Sequence, residues 1–177
     1  MCRELVEDAE ILALQQNIKT KSEISAGIEV RGNELYLRRT LLNLLDNAIK
    51  YNVESGTVSI SATKSGSQVF FRIANTGPEI PADQKNRVFE RFYRVDPSRL
   101  SEMGGSGLGL SICREIVLAH GGQIWLEQPQ PGWTAFVFAL PAPGNQRTEA
   151  GPTGVPSGGE LKPSVLGKPR PAAEPHL

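Results

Sequence analysis

Cysteine is scarce in this 177-residue chain, with only Cys2 and Cys113, and histidine is equally scarce, with only His120 and His176. Two cysteines so far apart are no disulfide framework, and their spacing matches no metal motif. A zinc site is therefore not expected. Neither sign of charge dominates, because 19 Lys and Arg stand against 19 Asp and Glu for a formal charge of zero. That balance argues against recognition of nucleic acid by bulk charge, which needs a basic excess. Long apolar runs are missing too. The longest nearly apolar stretch, residues 134–142, is far shorter than the roughly 20 residues of a spanning helix. The N-terminus, Met1-Cys2-Arg3-Glu4, turns acidic at once and has no signal-peptide core. These absences lead to the expectation of a reduced, cytoplasmic chain with no nucleic-acid partner and no membrane segment.

What is present is unevenly spread. Residues 143–177 hold seven of the 13 prolines and six of the 18 glycines, and no aromatic residue. Such a segment has too little apolar surface to offset its ordering entropy and reads as a disordered tail. Ahead of it, the first 18 residues read as a helix, with Leu5, Ala9 and Leu12 on one side. Ile28 and Val30 alternate with charged neighbours and suggest a short strand, and Asn33 reads as the N-cap of a long helix over residues 34–51. Strands are expected at 58–63 and 68–74 around the Ser65-Gly66-Ser67 turn, and at 123–127 and 133–140 around a Pro/Gly turn. A short helix is expected over 82–92, a loop over 93–106, and a helix from about Gly107 to Gly121-Gly122. The pattern is α+β: a two-layer sandwich with a mixed, mostly antiparallel sheet and helices on one face.

Two segments carry chemistry. On the helix at 34–51, Leu37, Leu41, Leu44 and Ala48 form an apolar face, while Asn43, Asn47 and Lys50 fall at i, i+4, i+7 on another. Two amides and an ammonium in one stripe suit a metal-bound polyphosphate, since an amide oxygen is a neutral ligand for a hard cation and a lysine meets phosphate. A solvated polar face would show the same pattern. The run Gly104 to Leu110 is rich in glycine and leads into a helix, where free backbone N–H groups and the helix dipole favour phosphate. It is neither a P-loop nor a dinucleotide fingerprint, having no following Lys-Ser/Thr and no leading strand. Other residues read as structural. His120 closes a helix, Cys113 is a buried filler and Trp125 belongs to a sheet face. Arg87, Arg91 and Arg94 fall at helical spacing on a solvated face or a docking stripe.

Asn43-Leu44-Leu45-Asp46-Asn47-Ala48-Ile49-Lys50-Tyr51 resembles the N box of bacterial sensor histidine kinases. Asn75-Thr76-Gly77-Pro78-Glu79-Ile80 resembles their G1 box, Phe89 to Arg94 their F box, and Gly105 to Leu110 their G2 box. Gly132, Thr134 and Phe136 resemble the closing strand motif. The order and spacing agree over about residues 3–141, and the Phe-Tyr-Arg-Val-Asp-Pro-Ser-Arg run is most like the heavy-metal sensor subgroup.

The resemblance implies a Bergerat ATP-binding fold over residues 23–142, preceded by the end of a dimerisation-hairpin helix at 1–22. It implies ATP and Mg²⁺ as ligands. Asn47 would hold the metal with Asn43 nearby, Lys50 and Arg94 would meet phosphates, and Tyr51 would pack near the adenine. Asn75 stands where an Asp usually accepts from the adenine amino group, and Gly77 would let the base approach the backbone. Ile80 and Thr134 belong to the same implied site. Gly105, Ser106, Gly107, Leu108, Gly109 and Leu110 would cradle phosphate. Two departures stand out. Glu79 replaces a glycine, which bears on the hinging of residues 93–106, the lid over the triphosphate that the resemblance implies, and Asn75 is neutral. A freely rotating amide can offer either oxygen or NH₂, so looser discrimination of ATP from GTP is expected. The partners implied are a histidine-bearing dimerisation domain and a response regulator. Related ATPases and serine kinases carry Glu at the position of Asn43 as general base, which Asn43 cannot be. A nucleotide-binding docking module without catalysis is the other alternative.

Overall fold

In the computed structural model, which describes residues 10–14, 16–95 and 106–144, five strands form one sheet. They are β1 (Lys19–Ile24), β2 (Thr57–Ser65), β3 (Gln68–Thr76), β4 (Gln123–Glu127) and β5 (Trp133–Pro141). Their order across the sheet is β1-β2-β3-β5-β4, with β1 parallel to β2 and every other pair antiparallel. Alternation decides which side is core. Val58, Ile60 and Ala62 of β2, Val69, Phe71 and Ile73 of β3, and Phe136, Phe138 and Leu140 of β5 point one way. The helices α1 (Glu34–Lys50) and α2 (Gly109–Ala119) cover that face with Leu37, Leu41, Leu44, Cys113 and Val117. Phe71 and Phe138, paired across β3 and β5, stack with centroids 4.7 Å apart at its centre. The result is the expected two-layer α+β sandwich with a mixed, mostly antiparallel sheet.

Local chemistry fixes the helix ends. The Asn33 side chain accepts from Tyr36 N–H at 3.2 Å and caps α1, satisfying one of the donors a helix start leaves over. At the end of α2, Gly121 turns left-handed at φ 71°. Gly121 N–H then reaches Leu118 O and Gly122 N–H reaches Val117 O, both at 2.9 Å, the paired bonds of a Schellman closure. His120 joins the two helices. Its Nε2 accepts from Asn33 N–H at 3.0 Å, so Nδ1 carries the proton and donates to Ile116 O at 2.7 Å. On the other face of the sheet Trp125 meets Phe70 edge-on and donates to Glu127, which pairs with Arg72.

Three expectations need correction. The first strand is Lys19–Ile24, not Ile28–Val30, and the sheet therefore begins before the expected domain boundary at residue 23. β1 is a mostly exposed edge strand that pairs with β2 through its backbone, so its polar side chains carry little alternation. Ile28 and Val30 instead pack against the core from an irregular segment. Residues 82–92 form no helix but two 3-10 turns, Ala82–Gln84 and Arg87–Phe89. The arginine stripe drawn on that helix therefore does not exist. Arg87 lies over the Tyr93 ring, 4.5 Å from its centroid. Of the N-terminal helix, residues 10–14 are helical and 1–9 lie outside the described residues. The tail expectation for 143–177 also falls outside them, apart from Pro143 and Gly144.

Candidate nucleotide-binding site

α1 presents its polar stripe to a cavity of about 470 Å³. Asn43, Asn47 and Lys50 line it, with Tyr51 at the helix end, while the apolar face of the same helix is buried in the core. The start of α2 supplies a second wall through Ser106, Gly107, Gly109 and Leu110. Gly107 is left-handed at φ 68°, and its carbonyl accepts from Phe92 N–H at 3.0 Å. A Cβ there would come within 3.0 Å of the Phe92 backbone, so glycine is required twice over. A Cβ on Gly109 would meet only Asn43 Cγ, at 4.0 Å. The first turn of α2 thus lies beside the Asn43 amide.

β3 and β5 supply the third wall. Asn75 and Thr134 are register partners, both buried, and both line the cavity. The Asn75 NH₂ donates to Thr76 O at 2.9 Å and to Tyr51 O at 3.4 Å. Its oxygen accepts from no group among the described residues. The Thr134 hydroxyl is buried without a hydrogen-bond partner among the described residues. Orphaned buried polar atoms are uncommon and call for a reason. Ile80 and Arg94 close the remaining sides.

Twelve of the fifteen site residues expected from sequence therefore line one cavity. Gly105 lies outside the described residues. Leu108 is not in the wall but caps α2, its carbonyl accepting from Ser111 Oγ at 2.9 Å. Gly77 is not in the wall either. Its role is a close approach of two backbones, since a Cβ would fall 2.5 Å from Tyr51 O. The wall also includes Asp46, Pro78, Glu79, Val88, Tyr93, Val95 and Phe136, which the sequence reading did not place in the site. Asp46 and Glu79 bring carboxylates to a cavity whose cations are Lys50 and Arg94. Their signal was weak because exposed acids are common, and Val88 and Phe136 read as core.

The donor set bears on metal binding. No cluster of three or more His, Cys, Asp or Glu able to hold a metal exists among the described residues. The Asn43 and Asn47 amides offer neutral oxygens. That suits a hard cation arriving with a charged phosphate chain, not one held by protein charge alone. Behind Asn43, burial pushes the Cys113 thiol up to about 12, which makes it inert filler as expected.

A two-layer sandwich with a polar helix stripe and a glycine-lined helix start around one cavity defines an ATP-binding domain. Residues 32–144 match the family described as histidine kinase-, DNA gyrase B- and HSP90-like ATPase, and the chain belongs to that family. It is 47% identical over 106 residues to the adaptive-response sensory kinase SasA of Nostoc sp. (strain PCC 7120 / SAG 25.82 / UTEX 2576), covering 59% of this chain and 26% of that one. Its fold is similar to a mycobacterial sensor histidine kinase, MprB, with TM-score 0.69 and 30% identity over 80% of this chain and 94% of that chain. It is also similar to full-length ShkA in complex with AMPPNP, with TM-score 0.68 and 30% identity over 79% of this chain and 29% of that chain. The domain is thus of the histidine kinase catalytic type. The match spans about a quarter of the length of the SasA relative. No helix among the described residues is long and apolar enough to cross a membrane.

Proposed function

We propose that this chain binds Mg·ATP in the cavity and transfers the γ-phosphoryl group to a histidine on a helical dimerisation domain, on the cytoplasmic side where ATP is found. A response regulator is the downstream partner. The observation that carries this reading is the meeting of the α1 amide stripe, the glycine-lined start of α2 and the Asn75–Thr134 pair around one cavity. The unpartnered Thr134 hydroxyl and the Asn75 oxygen supply the fixed polar contacts that a purine edge needs. Asn47, with Asn43 beside it, would hold the magnesium ion, which when bound offsets phosphate charge during transfer. Lys50 and Arg94 face the phosphates, and the free N–H groups at the α2 start receive phosphate oxygens.

In the transfer, an imidazole nitrogen of the partner attacks the γ-phosphorus. The bond from that phosphorus to the β–γ bridging oxygen breaks, and ADP leaves. A neutral imidazole is already nucleophilic and needs no base to start. That agrees with an amide, not a carboxylate, at position 43, and it disfavours an ATPase that must deprotonate water. The acceptor is not His120, whose Nε2 lone pair is taken by Asn33 N–H. His176 lies outside the described residues.

The test is labelling with γ-labelled ATP. The purified chain should bind Mg·ATP, fail to label itself, and slowly label a separately supplied hairpin carrying the acceptor histidine. Acid-labile self-labelling that survives replacement of both His120 and His176 would overturn the first half. Nucleotide binding without transfer to any hairpin would leave the docking-module reading in its place.

A further inference from the structure

The neutral Asn75 suggests a loose reader of the base, because a free amide can turn either end outward. The structure removes that freedom. Both hydrogens of the Asn75 amide are given to backbone carbonyls, Thr76 O at 2.9 Å and Tyr51 O at 3.4 Å. Turning the amide over would bring its oxygen against those same two acceptors. Only the oxygen is left for the cavity.

The chain segments that carry the two carbonyls are tied together by side chains. Thr76 Oγ1 donates to Asn52 Oδ1 at 2.6 Å and accepts from Thr57 N–H at 2.8 Å. Asn52 Nδ2 donates to Thr57 O at 3.3 Å, and Asn52 Oδ1 also accepts from Val53 N–H at 3.0 Å. Asn52 directly follows Tyr51, and Thr76 directly follows Asn75. The knot therefore fixes the end of α1 against the end of β3 at Thr76 and at the residue after Tyr51, next to the two carbonyls that hold the amide. Gly56 lies against it, and a Cβ there would fall on Asn52 Oδ1 and 2.5 Å from Thr76 Oγ1.

We infer that Thr76 and Asn52 are positioning residues that pin Asn75 as a pure acceptor, and that the chain therefore selects a purine with an exocyclic amino group over one with a carbonyl at the same place. This rests on the reading of the cavity as an adenine-nucleotide site. It reverses the loose ATP/GTP discrimination that the side-chain type alone suggests. Neither positioning residue is in the cavity wall.

The test uses the full chain and competition of ATP, GTP and inosine triphosphate against a fluorescent ATP analogue. Inosine triphosphate carries a carbonyl at C6 and a hydrogen on N1 and lacks the 2-amino group, so the ATP/ITP affinity ratio reads the C6–N1 edge without interference from a 2-amino group. Wild type should favour ATP strongly. Thr76→Val keeps the shape and removes the hydroxyl, and it should lower the ratio by about fivefold, the factor carried by one net hydrogen bond. Thr76→Ser should restore the ratio, and Asn52→Ala should lower it as Thr76→Val does. If Thr76→Val does not fold, Asn52→Ala and the Asn75 side-chain amide resonances of wild type decide. Slow exchange of both NH₂ hydrogens supports the pinned amide, and exchange at the rate of a free amide overturns it. Folded Thr76→Val and Asn52→Ala proteins with a wild-type ratio overturn the positioning role, provided Asn75→Ala lowers the ratio. If Asn75→Ala itself changes neither the ratio nor ATP affinity, the adenine is not read here and the functional reading fails instead.

Discussion

Gly77→Ala separates two accounts of the same glycine. If Gly77 exists to let a base approach the backbone, alanine should weaken nucleotide binding and leave the empty protein as stable as before. The structure gives a different reason. An added Cβ would lie 2.5 Å from Tyr51 O and 3.1 Å from Asn75 Nδ2, and real Cβ contacts essentially never fall under 3.0 Å. Gly77 is not left-handed, so alanine meets no backbone penalty and the conflict is steric alone. Neither side yields easily. Tyr51 is held at the end of α1 by its N–H to Asn47 O at 2.9 Å, and Gly77 is held by its N–H to Gly132 O at 3.0 Å. Overpacking of this kind costs about 1–3 kcal/mol. Moving Tyr51 O away from the Asn75 amide adds about 1 kcal/mol for a neutral hydrogen bond. The smaller entropy of the unfolded alanine chain returns about 0.4–1 kcal/mol. The net loss is about 1–3.6 kcal/mol, or roughly 4–14 °C in the melting midpoint of a domain of this size. The assay is thermal and urea unfolding of the protein without nucleotide. An unchanged midpoint accompanied by weaker ATP binding would refute the backbone-contact account.

Asn47→Ala should remove most Mg-dependent ATP binding while leaving the nucleotide-free melting midpoint unchanged, because Asn47 lines the cavity and not the core; equal Mg·ATP titrations would sink its assignment. In a Cys2→Ser background, Cys113 should resist thiol reagents at pH 8 until the protein unfolds, because burial holds its thiol up at about 12. The same shift sets a pH window: with the folded value at about 12 and the ordinary thiol value at 9.0, the stability the buried thiol contributes is complete below pH 9.0 and is lost as pH rises towards 12. A Cys113→Ala protein should lack that alkaline fall in urea stability. Deleting residues 145–177 should leave midpoint and ATP affinity unchanged, whereas a cut before Ala142 should not, since Ala142 is buried and donates to Ser67 O at 2.9 Å.

The features legible in sequence are those written in local periodicity. The period of α1 separated Leu37, Leu41, Leu44 and Ala48 from Asn43, Asn47 and Lys50, and the structure buries the first set and brings the second to the cavity. The two hairpins showed through alternation at β2–β3 and β4–β5. β1 did not, because an edge strand can pair by backbone alone and its side chains face water. The knot behind Asn75 was equally silent, since Asn52 and Thr76 are 24 residues apart. Nothing local marks either as the other's partner. Residues 82–92 misled for the opposite reason, with a helical spacing of arginines over a segment that packs Val88 and Phe89 through short turns.

Glu79 shows why a departure from a motif is not yet a defect. Read against the family pattern, a glutamate in place of a glycine removes freedom from the loop that follows β3. In the structure that loop is fastened to the β4–β5 turn in three places. Gly77 N–H reaches Gly132 O at 3.0 Å, Gln128 Nε2 reaches Ile80 O at 3.1 Å, and Glu79 Oε1 accepts from Gly132 N–H at 3.2 Å. Gly132 is left-handed at φ 73°, the conformation that lets its N–H and C=O both turn to the loop. The carboxylate thus occupies a donor in the turn beside Thr134, and Ile80 and Glu79 keep their places in the cavity wall. A glycine at 79 could adopt more backbone states but could not make that bond. The same substitution that reads as lost hinging in sequence is, in the fold, a fixed edge for the site in which Asn75 and Thr134 sit.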